Sequence, residues 1–143
     1  MITVVISSVL LTGALAAYRG LGAKQLVKQA GVSFQTDLKS YQQKALAGQK
    51  PEECLGSLDG YEVSGIDSNS FSVTAVCTAG APVATDFDLP GEVIFQAAFN
   101  PGEIFFPVLT AGVDGAQTIV LQKDTYQYQV TVEASGVIRG EIL

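Results

Sequence analysis

The first 17 residues carry no charge, and this stretch limits what the chain can fold into more than any other feature. It reads MITVVISSVLLTGALAA and ends at Tyr18 and Arg19, an aromatic and a cationic residue typical of a membrane–water boundary. As a helix, the stretch would extend about 25 Å, slightly less than a hydrocarbon core about 30 Å thick. A segment this apolar needs lipid or protein around it, or removal by a signal peptidase.

Three interpretations of this segment stay open from sequence. A secretory signal peptide over residues 1–16 would be cleaved at Ala14-Leu15-Ala16, although no basic residue precedes the apolar run. A plain membrane anchor followed by Arg19 and Lys24 would place the remaining chain in the cytoplasm. The third interpretation is a helix that first lies in a membrane and is then buried against copies of itself in a filament.

An amphipathic helical pattern continues from this stretch to about residue 47, with apolar residues spaced by three and four. No proline occurs over residues 2–47, whereas Gly48 and Pro51 follow as a cap and a stop. A continuous helix of this length would extend about 69 Å, so its N-terminal half must project. The residues predicted to pack this helix on the rest of the chain are Val27, Phe34, Leu38 and Tyr41.

Residues 51–143 read as short β-strands with turn signals between them. In the clearest, 126–132, tyrosine and valine alternate with glutamine and threonine, as in a half-buried antiparallel strand. Pro107 limits the strand before it to a short or edge position. The predicted fold is α+β: a long projecting N-terminal helix (1–50) whose C-terminal half packs on an antiparallel sheet (51–143). The other predicted strands are 61–63, 71–77, 93–99, 104–106, 118–122 and 137–139, and residues 85–90 are predicted to form a loop.

Charge is divided unevenly between the two regions. The first 50 residues hold six basic residues and one acidic residue, a net charge of +5, and the remaining 93 hold two basic and 13 acidic residues, a net charge of −11. The acidic region lacks the basic face that a nucleic-acid binder needs. The opposite charges indicate either two differently solvated surfaces or attraction between copies.

Cys54 and Cys77 flank the first predicted hairpin. A disulfide between them would stabilise the fold by about 3 kcal/mol, and small domains outside the cell commonly carry one. Two buried free thiols are the alternative.

The sequence favours no enzymatic chemistry and no cofactor. The absence of histidine excludes histidine-based triads and most zinc sites, and no G-x-S-x-G or phosphate-binding glycine motif occurs. Asp86 and Asp88 are a candidate calcium pair, with a solvated acidic turn as the favoured alternative. A ligand-binding phenylalanine patch competes with core packing for Phe95, Phe99, Phe105 and Phe106.

The N-terminal region resembles type IV pilins and the pseudopilins of type II secretion systems. The resemblance is carried by Met1-Ile2-Thr3-Val4-Val5-Ile6, by the boundary Ala16-Ala17-Tyr18, and by the continuing helix ahead of a sheet with one cysteine pair. The family segment typically reads Phe-Thr-Leu-Ile-Glu-Leu-Met-Ile, and this chain has neither its glutamate nor the family's helix-breaking proline. Aligned on the methionine, the chain would lack about six mature residues, which would complete a membrane-spanning length.

The resemblance implies a structural subunit of a cell-surface fimbrium. Such a subunit would wait in the inner membrane, and pilus or secretion machinery would then assemble it into a homo-oligomeric helical filament. The alternatives are a type II secretion pseudopilin, which the strand–turn–strand over residues 118–139 also resembles, and a secreted or anchored β-domain that binds a ligand. The residues expected to pack in the filament core are Val4, Val5, Ile6, Val9, Leu10, Leu11, Leu15 and Tyr18.

Overall fold

One long helix, α1, runs without interruption from Ile2 to Leu46. The computed structural model describes the backbone of residues 2–96 and 103–143, and the side chains of residues 21–96 and 103–143. At the end of α1, the Gly48 N–H donates to the Ala45 carbonyl at 3.0 Å, and Gly48 has a φ of +62°. The sequence predicted Gly48 as the C-terminal cap of the helix, and its left-handed conformation confirms this. The conformation lets the chain leave the helix. The 45 residues of α1 extend about 68 Å.

The strands of the described residues form two antiparallel four-stranded sheets, where the sequence predicted one. Sheet A has the order β3-β2-β1-β5, and sheet B has the order β4-β6-β7-β8. The chain leaves sheet A after β3, enters sheet B with β4 and returns with β5, a non-local exchange that strand periodicity does not reveal. The bounds are β1 Leu55–Gly65, β2 Ser70–Ala79, β3 Val83–Asp88, β4 Ile94–Phe95, β5 Ile104–Pro107, β6 Gln117–Lys123, β7 Tyr126–Val132 and β8 Ile138–Ile142.

The loop predicted over residues 85–90 was wrong, because its first part belongs to strand β3. Phe87 lies opposite Phe71 of β2 on the inner side of the sheet, and the rings stack at 5.0 Å between centroids. Of the strand predicted over 93–99, Ile94 and Phe95 form β4, Gln96 lies in a bend after it, and residues 97–99 lie outside the described residues. Pro107 ends β5, which is short and forms one edge of sheet A, as predicted.

A single core lies between α1 and both sheets, so the α+β class is confirmed. The Phe34 ring lies edge-on to Phe71 of sheet A at 4.9 Å between centroids, and edge-on to Phe95 of sheet B at 5.6 Å. Val27 and Leu38 are buried beside it, and Tyr41 is half-buried. The N-terminal half of the helix was predicted to project from the rest of the chain. Most of that half, residues 2–20, has side chains that lie outside the described part.

Candidate assembly surfaces

The apolar segment is the first surface with a predicted role. Its eight filament-core residues, over 4–18, lie outside the described side chains. Their backbone belongs to the same helix that packs on the core farther along. Within the part of the chain that the structure describes, no helix combines the length and the apolar character needed to cross a bilayer.

A row of exposed cations, which we call the lysine stripe, runs along α1 beside the flank where Gln35 and Gln42 bond to sheet B: Lys24, Lys28 and Lys39. At 3.6 residues per turn the three lie within a sector of about 60°, and Lys28 and Lys39 are about 16 Å apart along the axis. Val32 lies between them with 45% of its surface exposed. Among the described residues, the two ion pairs are Lys123–Glu92 and Arg139–Glu133, so neither involves the stripe.

The outer surface of sheet A carries the opposite charge. Because Phe71, Phe87 and Tyr61 point into the core, the alternating residues of the same strands point outward. The outward carboxylates are those of Glu62, Asp86 and Asp88, together with Glu103 just before β5, and we call this set the acidic face. Residues 51–122 contain no lysine or arginine, so sheet A holds no cation to balance it.

The pKa of Glu62 reports the crowding of negative charge on this face. Partial burial raises the pKa of the Glu62 carboxyl, and the neighbouring Glu103 carboxylate raises it further. Both causes disfavour the ionised form. A cation brought to the acidic face from outside would relieve this repulsion.

The candidate calcium residues Asp86 and Asp88 both belong to strand β3. The two residues lie on the edge strand β3, opposite Ser72 and Ser70, and not in a loop that could wrap an ion. Calcium takes six to eight oxygen ligands. Within the described residues, no group of three or more metal-ligating side chains occurs.

The disulfide Cys54–Cys77 joins the residue just before β1 to the far part of β2. Cys54 is buried, and Leu58 of β1 lies opposite Cys77 in the ladder. The bond therefore fastens the loop that follows α1 to sheet A. This is the pairing that the sequence favoured over two free thiols.

A groove of about 400 Å³ opens between the end of α1 and sheet A. Tyr41 and Tyr61 form its aromatic wall with ring centroids 5.3 Å apart, and the Lys44 ammonium lies 4.3 Å from the Tyr41 ring centroid. The Tyr61 hydroxyl donates to the Gln49 carbonyl at 2.6 Å, and Lys50 donates to the Gly56 carbonyl at 2.8 Å. Burial is the main cause that raises the pKa of the Tyr61 hydroxyl. The groove is a preformed recess whose aromatic faces and Lys44 would meet a ligand.

The phenylalanine patch proposed as a ligand surface is largely part of the core. Phe95 and Phe106 are buried and Phe105 is half-buried, whereas Phe99 lies outside the described residues. Sequence reasoning missed both the acidic face and the groove, because each includes residues of β3. The alternation of Val83, Thr85 and Phe87 with Ala84, Asp86 and Asp88 is the signal that could have found that strand.

No protein-family model, curated protein or solved structure matches this chain.

Proposed function

We propose that this chain is a structural subunit of an extracellular filament of the type IV pilus kind, polymerising through its N-terminal apolar helix. The alternative is a pseudopilin of a type II secretion system, which would use the same assembly step. The partners are further copies of the chain, the inner membrane before assembly, and the machinery that extracts the subunit.

The observation that supports the proposal is the length and division of α1. Its buried face in the described part begins at Ala23 and ends at Ala45, whereas the helix itself begins at Ile2. A helix about 68 Å long exceeds the dimensions of a chain with a radius of gyration of about 14 Å. One continuous element therefore joins an uncharged segment to the packed head, as an anchor that is also an assembly element requires.

The assembly step moves the apolar segment from lipid into a bundle of identical helices. Little hydrophobic free energy is gained, because lipid is already apolar, so close packing must drive the association. Small residues permit close approach between helices, and the segment contains Ser7, Ser8, Gly13, Ala14, Ala16 and Ala17.

The proposal is tested by the intact mass and N-terminal sequence of the protein sheared from cell surfaces, together with electron microscopy of that material. Filaments whose subunits retain residues 2–17 support it. Leu10→Glu should abolish the filaments, whereas Leu109→Glu, at a position 76% exposed on the head, is the matched control. Filaments that persist unchanged in Leu10→Glu would contradict the proposal.

A second candidate is a secreted binding module, and the preformed groove beside Tyr41 and Tyr61 favours it. In this case residues 1–16 would be a cleaved signal peptide. The same N-terminal sequence distinguishes the two, because a mature chain that begins near Ala17 and stays monomeric overturns the filament and supports the module.

A further inference from the structure

We propose that the acidic face of one copy docks on the lysine stripe of the next copy. The inference rests on the proposed function in taking a second copy as the occupant of both surfaces. It adds which surfaces of the described residues meet and why the contact propagates.

Both surfaces carry charge that the described part of the chain does not neutralise. Lys24, Lys28 and Lys39 are exposed and form none of the ion pairs within it. The carboxylates of the acidic face also form none, and the pKa of Glu62 is raised partly by Glu103. Each surface is therefore stabilised by charge of the opposite sign, which the other surface supplies.

The spacing of the charges also agrees. In sheet A, Ser64 lies opposite Ser72, which lies opposite Asp86, and Glu103 directly precedes the residue paired with Val63. Glu103 and Asp86 are therefore about three strand spacings apart, or about 14 Å. Lys28 and Lys39 are separated by about 16 Å along the helix.

The centres of the two surfaces are uncharged. Two small serine side chains, the half-buried Ser64 and Ser72 with only 7% of its surface exposed, lie between the two carboxylate positions of sheet A, so the exposed part of this face is its flanking carboxylates. On the helix, the 45% exposed Val32 lies between Lys28 and Lys39 on the solvent side of the stripe, and the half-buried Gln35, whose amide donates to the Ile138 carbonyl, lies between them on the side of sheet B. A small and weakly polar centre flanked by charges on each side allows the helix to approach the sheet without burying an unpaired ion.

The two surfaces belong to different elements, and both face away from the core that α1 and sheet A share. Such a contact is heterologous, because one patch meets a different patch on its neighbour. After one contact forms, each copy still presents one unused surface. Repetition therefore extends an array without closing a symmetric dimer.

The test is cross-linking of the full chain in detergent with a short bismaleimide, which reacts with introduced thiols and leaves the Cys54–Cys77 disulfide intact. The pairs are Lys28→Cys with Asp86→Cys and Lys28→Cys with Glu103→Cys, each in one chain, so that either direction of the helix across the sheet is detected. Ser33→Cys with Asp86→Cys is the control, because Ser33 is exposed about 140° around the helix from Lys28. We expect cross-linked dimers and higher multimers from at least one Lys28 pair, and little product from the Ser33 pair.

Raising the salt concentration should reduce this product, because the Debye length falls from about 10 Å at 0.1 M to about 3 Å at 1 M. In chains that also carry the Cys pair for detection, reversal of the remaining stripe charges by Lys24→Glu and Lys39→Glu should remove most of the product. Mixing that chain with one carrying Glu62→Lys and Asp88→Lys should restore it, since each variant then supplies a surface complementary to the other.

The outcomes separate this inference from the proposed function. If filaments form on cells but neither Lys28 pair gives a specific cross-link, the proposed docking surface is wrong and the proposed filament function is retained. A specific cross-link in a chain that never forms filaments supports the docking surface and contradicts the filament. If the stripe instead lies on lipid, charge reversal will weaken binding to phosphatidylglycerol vesicles while no cross-link forms, which also overturns the inference.

Discussion

Sheets A and B border the same core but are attached to it by different means. Sheet A is fastened covalently to the segment after α1 through Cys54 and Cys77. Sheet B has no such bond and is held by contacts with α1 itself. The Gln35 amide donates to the Ile138 carbonyl at 3.2 Å, and the Gln42 amide donates to the Gly136 carbonyl at 2.7 Å.

The outer surfaces of the two sheets differ as well. Sheet A presents the acidic face, whereas β6 and β7 of sheet B present amide and hydroxyl groups: Thr118, Gln122, Gln127, Gln129 and Thr131. Salt and pH should therefore act mainly through sheet A, because its face carries several carboxylates and no cation, whereas β8 brings both Arg139 and Glu141 to sheet B. Changes in the shape of α1 should act mainly through sheet B, because its attachment depends on close fit to that helix.

The largest expected effect removes the ring that touches both sheets. Phe34→Ala should lower the free energy of unfolding by about 3–5 kcal/mol, because it leaves a cavity where Phe71 and Phe95 meet the helix. Denaturant unfolding of the full chain in detergent measures this loss, with Val32→Ala at an exposed position as the control. Hydrogen exchange should accelerate in β2 and β6 together, and acceleration in one sheet alone would contradict a shared core.

The second-largest expected effect should differ between sheet A and sheet B. The double variant Cys54→Ala/Cys77→Ala removes a bond across 23 residues and should cost about 3 kcal/mol. Hydrogen exchange should then quicken more in β1 and β2 than in β6 and β7, because the bond constrains sheet A directly. Equal acceleration of hydrogen exchange in both sheets would show that the disulfide stabilises the whole fold. The two sheets would then not differ in how the disulfide stabilises them.

The sequence predicted the elements of this fold better than their arrangement. The spacing of Val27, Phe34 and Leu38 predicted the buried face of α1, and the alternation in 126–132 predicted β7, because both patterns are local. The division into two sheets depends on which distant strands pair. Strand β5 pairs with β1 in sheet A, although β4, which precedes β5 in the sequence, belongs to sheet B. The acidic face was missed for the same reason, since Glu62 and Asp86 share a surface only once β1, β2 and β3 have paired.

A smaller effect tests the fit of sheet B to the helix. Gly31 lies against the Tyr128 ring so closely that an added Cβ would overlap it, whereas nothing lies within 4 Å of the corresponding position at Gly22. Gly31→Ala should therefore destabilise by about 1–3 kcal/mol despite the better helix propensity of alanine. Gly22→Ala should stabilise the protein by up to about 1 kcal/mol. The midpoint temperature of thermal unfolding should therefore fall in Gly31→Ala and rise in Gly22→Ala. Shifts in the same direction would mean that Tyr128 moves aside and that sheet B is loosely fitted.

The smallest expected effect is the pH dependence carried by Glu62 on sheet A. Its pKa is raised by burial and by Glu103, so the folded state keeps this proton to a higher pH than the unfolded state does. The resulting stabilisation is present below the ordinary glutamate pKa and is lost as pH rises through the raised pKa. Glu62→Gln should therefore stabilise the protein slightly at pH 7 and leave its stability unchanged at pH 3, as measured by denaturant unfolding at each pH.

A direct readout of the same repulsion comes from the titration of the Glu62 carboxyl by NMR. Glu103→Gln removes one of the two causes and should lower the pKa of Glu62 toward its ordinary value, because burial alone then remains. Glu141→Gln is the matched control, since Glu141 lies opposite Gln129 on sheet B. An unchanged Glu62 titration in Glu103→Gln would mean that burial acts alone, and the acidic face would then lack the charge crowding that distinguishes sheet A from sheet B.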